Sequence, residues 1–543
     1  VTSMTSTPVH NYFFENQGEA TFTNLSAASG LGEKGFSSGA AYADLDGDGD
    51  LDLVVSHINE IASIYENKSN TGNWLKLSLK GPQKNTFALG AQVWAYAQGK
   101  TFYLEQYPVR GFQSSVSPVL HLGLGEIETL DSLKVLWPNQ SESRYFNLQT
   151  NQLLTFESND AEPVSRLKQQ EVLAEELPQS LDFNTSLSPI NDFKRQPLLL
   201  TMPSHLGPIL ASGDLNQDGI PEIFIGGNKG SAGRIFSFYQ GKWEAYRGFR
   251  SSSGFVDGAV VMEDFNGDGF LDLFLGSGGY HDFLREDEGL KDRLFLNDGQ
   301  GVLVPNADFP SYTISTGVAA TLDVNHDGFP DLFVGGRIVP GRYPETPESK
   351  ILINNGKGGF SDQSSQYLPD SRLGMITGVA AQDLNGDGKE DLILVGEWMP
   401  PKALIQENGA FSDQSDAFFP PHLSGWWHSL HQVDWDGDGD LDLILGNFGL
   451  NSQLKASAEV PMTLYAYDFD QNGSIDPIIE CQIGDGNYPF PSRDELLDQM
   501  VSMRSKFTDY ASYSQAEMKD LFSEDQLDQA QKFQIETLET IIL

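Results

Sequence analysis

Asp44-Leu45-Asp46-Gly47-Asp48-Gly49-Asp50-Leu51-Asp52 decides how the rest of the chain is read. Short carboxylates stand at positions 1, 3, 5 and 9 of a nine-residue loop, and a glycine at position 6 permits the sharp turn that wrapping an ion requires. Oxygens this dense repel one another once folded together. A calcium ion, which takes about 6–8 oxygen ligands, removes that repulsion.

The arrangement recurs six more times along the 543 residues. The side chains at positions 1, 3, 5 and 9 and the backbone carbonyl at position 7 are the candidate ligands. In the first loop these are Asp44, Asp46, Asp48, Asp52 and the carbonyl of Asp50. The second supplies Asp214, Asn216, Asp218, Glu222 and the Ile220 carbonyl; the third Asp264, Asn266, Asp268, Asp272 and the Phe270 carbonyl. The fourth supplies Asp323, Asn325, Asp327, Asp331 and the Phe329 carbonyl; the fifth Asp383, Asn385, Asp387, Asp391 and the Lys389 carbonyl. The sixth supplies Asp434, Asp436, Asp438, Asp442 and the Asp440 carbonyl; the seventh Asp468, Asp470, Asn472, Asp476 and the Ser474 carbonyl. The first and sixth loops hold five carboxylates each and are expected to bind tightest, because ligand charge tunes affinity. The second, with neutral Asn216 and the longer Glu222, is expected to be weaker or differently shaped, and the seventh loses a charge at Asn472.

Apolar runs rich in Val, Ile, Leu and Phe follow the loops, as in Leu51–Val55, Leu271–Leu275, Leu392–Val395 and Leu441–Leu445, while small residues precede them, as in Gly378-Val379-Ala380-Ala381. Such short runs bounded by turn residues read as buried strands, so each loop joins two strands. An EF-hand needs a bidentate Glu at position 12 and an exiting helix; here position 12 is Val55 in the first loop and Leu445 in the sixth. Asn297-Asp298-Gly299, Asn354-Asn355-Gly356 and Asn408-Gly409 supply the residues that tight hairpins demand. Units of 50 to 60 residues with about four strands each have the content of propeller blades.

On these residues the chain resembles the FG-GAP (VCBS) repeats of integrin α-type β-propellers, over about 12–70 and 205–490. The resemblance implies an all-β propeller of about seven calcium-loop units, placed outside the cell, in the periplasm or on the cell surface, that binds a protein or glycan partner. The 170-residue step between the first two loops holds a different texture. Gly90-Ala91-Gln92-Val93, Gly111-Phe112-Gln113-Ser114, His121-Leu122-Gly123-Leu124-Gly125 and Trp137-Pro138-Asn139-Gln140 resemble the ASPIC/UnbV domain that accompanies FG-GAP repeats in cartilage acidic protein and bacterial secreted proteins. The expected domains are a first repeat (1–73), an ASPIC/UnbV-like module (74–157), a linker (158–200) with a helix-capable stretch at 164–176, the remaining repeats (201–490) and a helical segment (491–543). In that last segment Ser514 and Glu517 form a capping-box pattern ahead of Met518, and nothing after it is expected to complete the seventh unit. The first loop's calcium is expected to secure the point where the inserted module leaves the propeller.

A net charge of −42 argues against a nucleic-acid partner and suits a protein that holds cations; seven calcium ions would bring it to about −28. No apolar run is long enough to span a membrane. Cys481 is the lone cysteine, so no intramolecular disulfide exists and a core thiol is expected. The chain starts at Val1 without a basic-then-apolar leader, which reads as a removed signal or an excerpt of a longer protein.

No G-x-S-x-G, P-loop or dinucleotide fingerprint stands in a supporting context, so an enzyme is not expected. His422, His428 and His431 lack a zinc-ligand spacing and read mainly as blade packing. Trp398-Met399-Pro400-Pro401 and Trp426-Trp427 read as core filling rather than a sugar-stacking shelf. The alternative function is a polysaccharide lyase or hydrolase, which a pair of unbonded carboxylates in a central pocket would favour.

Overall fold

All seven loops join antiparallel strand pairs. The first lies between strands Ser37–Ala43 and Asp52–His57, the third between Val256–Glu263 and Asp272–Gly278, and the seventh between Met462–Tyr467 and Asp476–Ile483. The computed structural model describes residues 7–18, 20–68, 72–158, 162–163, 181–185, 190–205, 207–280, 283–407, 409–484 and 486–543. The helix-capable stretch 164–176 lies outside them. The chain forms two compact units, Val1–Glu176 and Leu177–Leu543.

In the first unit the opening repeat contributes a three-stranded sheet that ends in Ser63–Tyr65. The module beside it pairs a five-stranded sheet with a three-stranded one, the latter ordered Val119–Gly125, Asn73–Lys80, Gln152–Glu157. Strand alternation sorts Asn73–Lys80 cleanly: Leu75, Leu77 and Leu79 enter a core with Val93, Leu130, Leu133, Val135 and Trp137. Trp74 and Lys76 therefore share the opposite face, where His121 stands in register with Lys76.

In the second unit three sheets of four strands follow in chain order, beginning with Leu210–Gly213, Val256–Glu263 and Ser315–Leu322; the next four strands, beginning with Met375–Gln382, are joined through Asp391–Met399 to Gly425–Val433 in a larger sheet. Successive sheets stack face against face. Phe265, Phe274 and Leu294 of one share a core with Leu332, Val334 and Leu352 of the next, and Phe333 and Ile351 meet Leu392 and Leu404 in turn. First strands pass so closely that a Cβ on Gly317 would lie 2.7 Å from the carbonyl oxygen of Ile376. This is a β-propeller whose cores are the spaces between blades.

The sixth blade departs from the expected order. Its first two strands, Gly425–Val433 and Asp442–Asn447, take as neighbour Ile541–Ile542, with Ile444 opposite Ile542. The seventh loop's sheet is thus inserted between the second and third strands of the sixth blade. It runs Gly486–Pro489, Asp476–Ile483, Met462–Tyr467, Gln531–Ile535, so the last of these completes the unit that the sequence reading left unfinished. Its Met462, Leu464 and Ile479 share a core with Tyr280, Ile338, Trp398 and Trp426, and Ile478 packs toward the helical residues Leu496, Leu497 and Met500. Helices occupy only Arg493–Gln529 of the segment read as helical. The expected cap is displaced: Glu517 with Asp520 forms the box, and Ser514 instead ends the preceding helix.

The end of the expected linker is also core. Asp192 (0 % exposed) accepts from the amide and hydroxyl of Ser204, both at 2.8 Å. Gln196 donates to the Tyr343 and Ile475 carbonyls, and its amide oxygen accepts from the Tyr343 N–H at 3.0 Å and from the Tyr280 hydroxyl. Cys481 is buried in the same core, as expected, and burial pushes its thiol pKa up. Trp398, Trp426 and Trp427 are buried as well, so they fill core and form no shelf. His422 is paired with Glu536 at 2.8 Å, and His428 lies beside Trp426 and Phe448.

Candidate metal-binding loops

One hydrogen-bond scheme shapes every loop. The position 2 amide donates to the position 9 carboxylate in all seven: Leu45 to Asp52, Leu215 to Glu222, Phe265 to Asp272, Val324 to Asp331, Leu384 to Asp391, Trp435 to Asp442 and Phe469 to Asp476, at 2.7–3.0 Å. The position 7 amide donates to the position 5 side chain, as Asp50 does to Asp48 and Ser474 to Asn472. In six of the loops, all but the sixth, the position 6 glycine amide donates to Oδ2 of the position 1 aspartate, as Gly269 does to Asp264 and Gly328 to Asp323. That glycine has φ of +87° in the third loop, which only glycine adopts without cost. These donors fold the chain around the carboxylates and leave their remaining lone pairs facing one another.

Position 9 does two jobs. In four loops its Oδ1 accepts a backbone amide from the third strand or from just past its end: Asn67 to Asp52, two residues beyond Ser63–Tyr65, and Asn297 to Asp272, Asn354 to Asp331 and Gln406 to Asp391 from within the strand. Asp272, Asp331, Asp391 and Asp476 are fully buried. Burial, reinforced by the carboxylates at positions 1 and 5, raises Asp272 to about 7 and Asp331 to about 6; burial with Asp470 and Asp468 raises Asp476 to about 6. Each oxygen has two lone pairs, so a position 9 carboxylate can hold the backbone and still face an ion. Glu222 differs. Its extra methylene lets Oε1 reach back and take the Asn216 amide at 2.9 Å, engaging the position 3 side chain within the loop.

Calcium fits these donors. Carboxylate oxygens of Asp44, Asp46 and Asp48, of Asp434, Asp436 and Asp442, and of Asp468, Asp470 and Asp476 converge to within 4.8 Å of one another. Oxygens bound at about 2.3–2.6 Å on opposite sides of one ion lie at most about 5 Å apart. Asp470 Oδ1 and both oxygens of Asp50 are buried without a hydrogen-bond partner. Such oxygens cost free energy unless a cation meets them. In the second to fifth loops an asparagine oxygen replaces the position 3 carboxylate within the same turn, with Asp218, Asp268, Asp327 and Asp387 amides donating to it at 2.8–2.9 Å.

Sequence reasoning missed a link between blades. The Asn297 side chain donates to the carbonyl of Leu215 at 2.9 Å, Asn354 to that of Phe265 at 2.8 Å, and Gln406 to that of Val324 at 2.5 Å. Each acceptor is position 2 of the preceding blade's loop. The Asn-x-Gly turns gave the signal for a hairpin but none for this second role.

Family profiles match as FG-GAP-like repeat over residues 3–55, 214–275 and 383–445, and as ASPIC and UnbV over 81–163. Cartilage acidic protein 1 of Mus musculus is 32% identical over 127 residues, 22% of this chain and 19% of that protein. Integrin alpha-3 of Mus musculus is 29% identical over 163 residues, 28% of this chain and 14% of that protein. The matched stretch therefore spans less than a fifth of the length of either relative. The V. cholerae biofilm matrix protein Bap1 aligns over 53% of this chain and 48% of its own at 16% identity, with a TM-score of 0.22, too low to bear on function. Motifs, blades and profiles agree: the chain carries FG-GAP-like repeats in a β-propeller, with an ASPIC and UnbV module following the first of them.

Proposed function

We propose that this is a calcium-stabilised interaction protein of the extracellular space, periplasm or cell surface, in which Ca²⁺ is a structural ligand and the propeller presents a binding surface to a protein or glycan. The observation that carries the calcium reading is the shared loop scheme, repeated on residues as far apart as Asp44 and Asp476, together with the partnerless buried oxygens of Asp50 and Asp470. Similarity to cartilage acidic protein 1 and integrin alpha-3 supports the location and a protein partner. Among the described residues no helix is long and apolar enough to cross a membrane.

Two carboxylates at strand ends remote from the loops lend no support to the polysaccharide-cleaving alternative. Glu397 is paired with Arg337 at 3.0 Å, and Asp257 accepts from Gly227 at 2.6 Å and pairs with Arg293 at 2.5 Å. Neither is an unbonded carboxylate.

A site whose Kd lies tenfold below ambient Ca²⁺ gains about 1.4 kcal/mol, so seven independent sites gain on the order of 10 kcal/mol. Melting the protein in excess EGTA and in millimolar Ca²⁺ tests the reading; a sharp fall in Tm under EGTA is expected, and an unchanged melt sinks it. Glycan and protein arrays probed with the calcium-loaded chain test the partner class, with binding and no turnover as the expected result.

A further inference from the structure

The first loop differs from the other six in what faces it. Trp74, Lys76 and His121, which alternation places on one face of the module's three-stranded sheet, all meet this loop. The Lys76 ammonium is paired with Asp44 Oδ2. His121 Nε2 lies 2.7 Å from the Gly49 carbonyl oxygen. The Trp74 indole lies so close to Gly49 that a Cβ there would stand 1.9 Å from Nε1. Gly49 is the position 6 glycine, so the module grips the turn itself.

Lone pairs show what this contact does. In the third and fifth loops, Oδ1 of the position 1 aspartate takes two amides, Gly267 and Asp268 on Asp264 and Gly386 and Asp387 on Asp383. Oδ2 takes only the glycine amide, from Gly269 or Gly388, which leaves it one lone pair for an ion. In the first loop Oδ2 takes the Gly49 amide and the Lys76 ammonium, which fills both of its lone pairs. Lys389 in the fifth loop meets Asp387 at 3.4 Å, but on a half-exposed position 5 side chain. The Asp44–Lys76 contact is well covered, with Asp44's side chain 5% exposed.

We propose that the Lys76 ammonium and Ca²⁺ compete for Asp44, so that the first loop fills last and, when it fills, loses the ion pair that ties the module's sheet to it. This reverses the ranking expected from charge count, under which the five-carboxylate first loop binds tightest. It rests on the calcium reading above. The loop's five carboxylates exceed one ammonium, and oxygens of Asp44, Asp46 and Asp48 still converge while Lys76 is in place, so the loop still draws a divalent ion at higher concentration.

Tb³⁺ is the probe, because indoles sensitise its luminescence at short range. Trp74 reports the first loop and Trp435, at position 2, reports the sixth. In the full chain carrying Trp435→Phe, the signal lost on further Trp74→Phe change belongs to the first loop. Its Tb³⁺ midpoint is expected to drop at least about tenfold in Lys76→Met, which keeps most of the stem but removes the charge, and to stay unchanged in Lys76→Arg. Equal midpoints for Lys76 and Lys76→Met, with terbium still binding elsewhere, overturn this inference alone. Absence of terbium and calcium binding in every variant overturns it together with the calcium reading.

Discussion

The Asn354 side-chain amide donates at 2.8 Å to the carbonyl oxygen of Phe265, reaching from the third strand of one blade to the second position of the loop in the blade before it. The same amide also donates to the Pro330 carbonyl, and the Asn354 backbone N–H donates to Asp331. One residue thus holds its own loop and its neighbour's. Asn354→Leu leaves buried carbonyls unpaired and should cost about 1–3 kcal/mol in urea unfolding. It should also weaken calcium binding at the Asp264 loop, read by calorimetric titration. A loss confined to the Asp323 loop would contradict the link.

Positions 9 and 3 of one loop should separate structure from metal. Asp331 accepts the Val324 and Asn354 amides at 2.9 and 2.7 Å in a fully buried setting. Asp331→Ala should destabilise by about 2–5 kcal/mol in EGTA as well as in Ca²⁺. Asn325→Ala should cost under about 1 kcal/mol in EGTA and show its effect only when calcium is present. Equal behaviour of the two variants in EGTA would dissolve the distinction.

Asp292 gives a pH dependence separate from the metal loops. It accepts from the Ser277 amide at 2.6 Å, the Tyr312 hydroxyl at 2.8 Å and the Thr316 hydroxyl at 2.9 Å, and burial raises its pKa from 3.8 to about 7. The folded protein therefore holds a proton that the unfolded chain releases between these values. Native stability falls as pH rises through that window and levels off above it, by up to about 1.4 kcal/mol per pH unit for one group. Asp292→Asn should flatten this part of the stability profile measured by urea unfolding from pH 4 to pH 7.5. An unchanged slope would show that the carboxyl ionises freely.

Gln196 tests whether the segment before the second repeat is a keystone or a tether. Its side chain is 1% exposed and bonded to Tyr343, Tyr280 and Ile475. Gln196→Ala should cost about 2–4 kcal/mol. A silent substitution would return the segment to the status of a linker.

Blades and loops were legible because both obey short periods. Asp44 to Asp52 spans nine residues, and strand alternation around Leu75, Leu77 and Leu79 spans even fewer. What was not legible depends on residues far apart. Asn354 meets Phe265 across 89 positions, and His121 meets Gly49 across 72. No local pattern encodes such partners. The misplaced cap at Ser514 failed for a different reason: Glu517 satisfies the start of the pattern as well as its end, and the helix begins where Asp520 can reciprocate.

The sheet inserted within the sixth blade fixes an order of events. Ile444 waits for Ile542, 98 positions later, before its strand has a neighbour on that side. The intervening chain must first fold its own sheet and helices to bring the two ends together. The four preceding blades each close within a stretch of local chain, whereas this one depends on a slow, non-local encounter. Until it occurs, the edge of Asp442–Asn447 stays open to other strands. Refolding should therefore be rate-limited at this blade, and aggregation during refolding should start from its exposed edge.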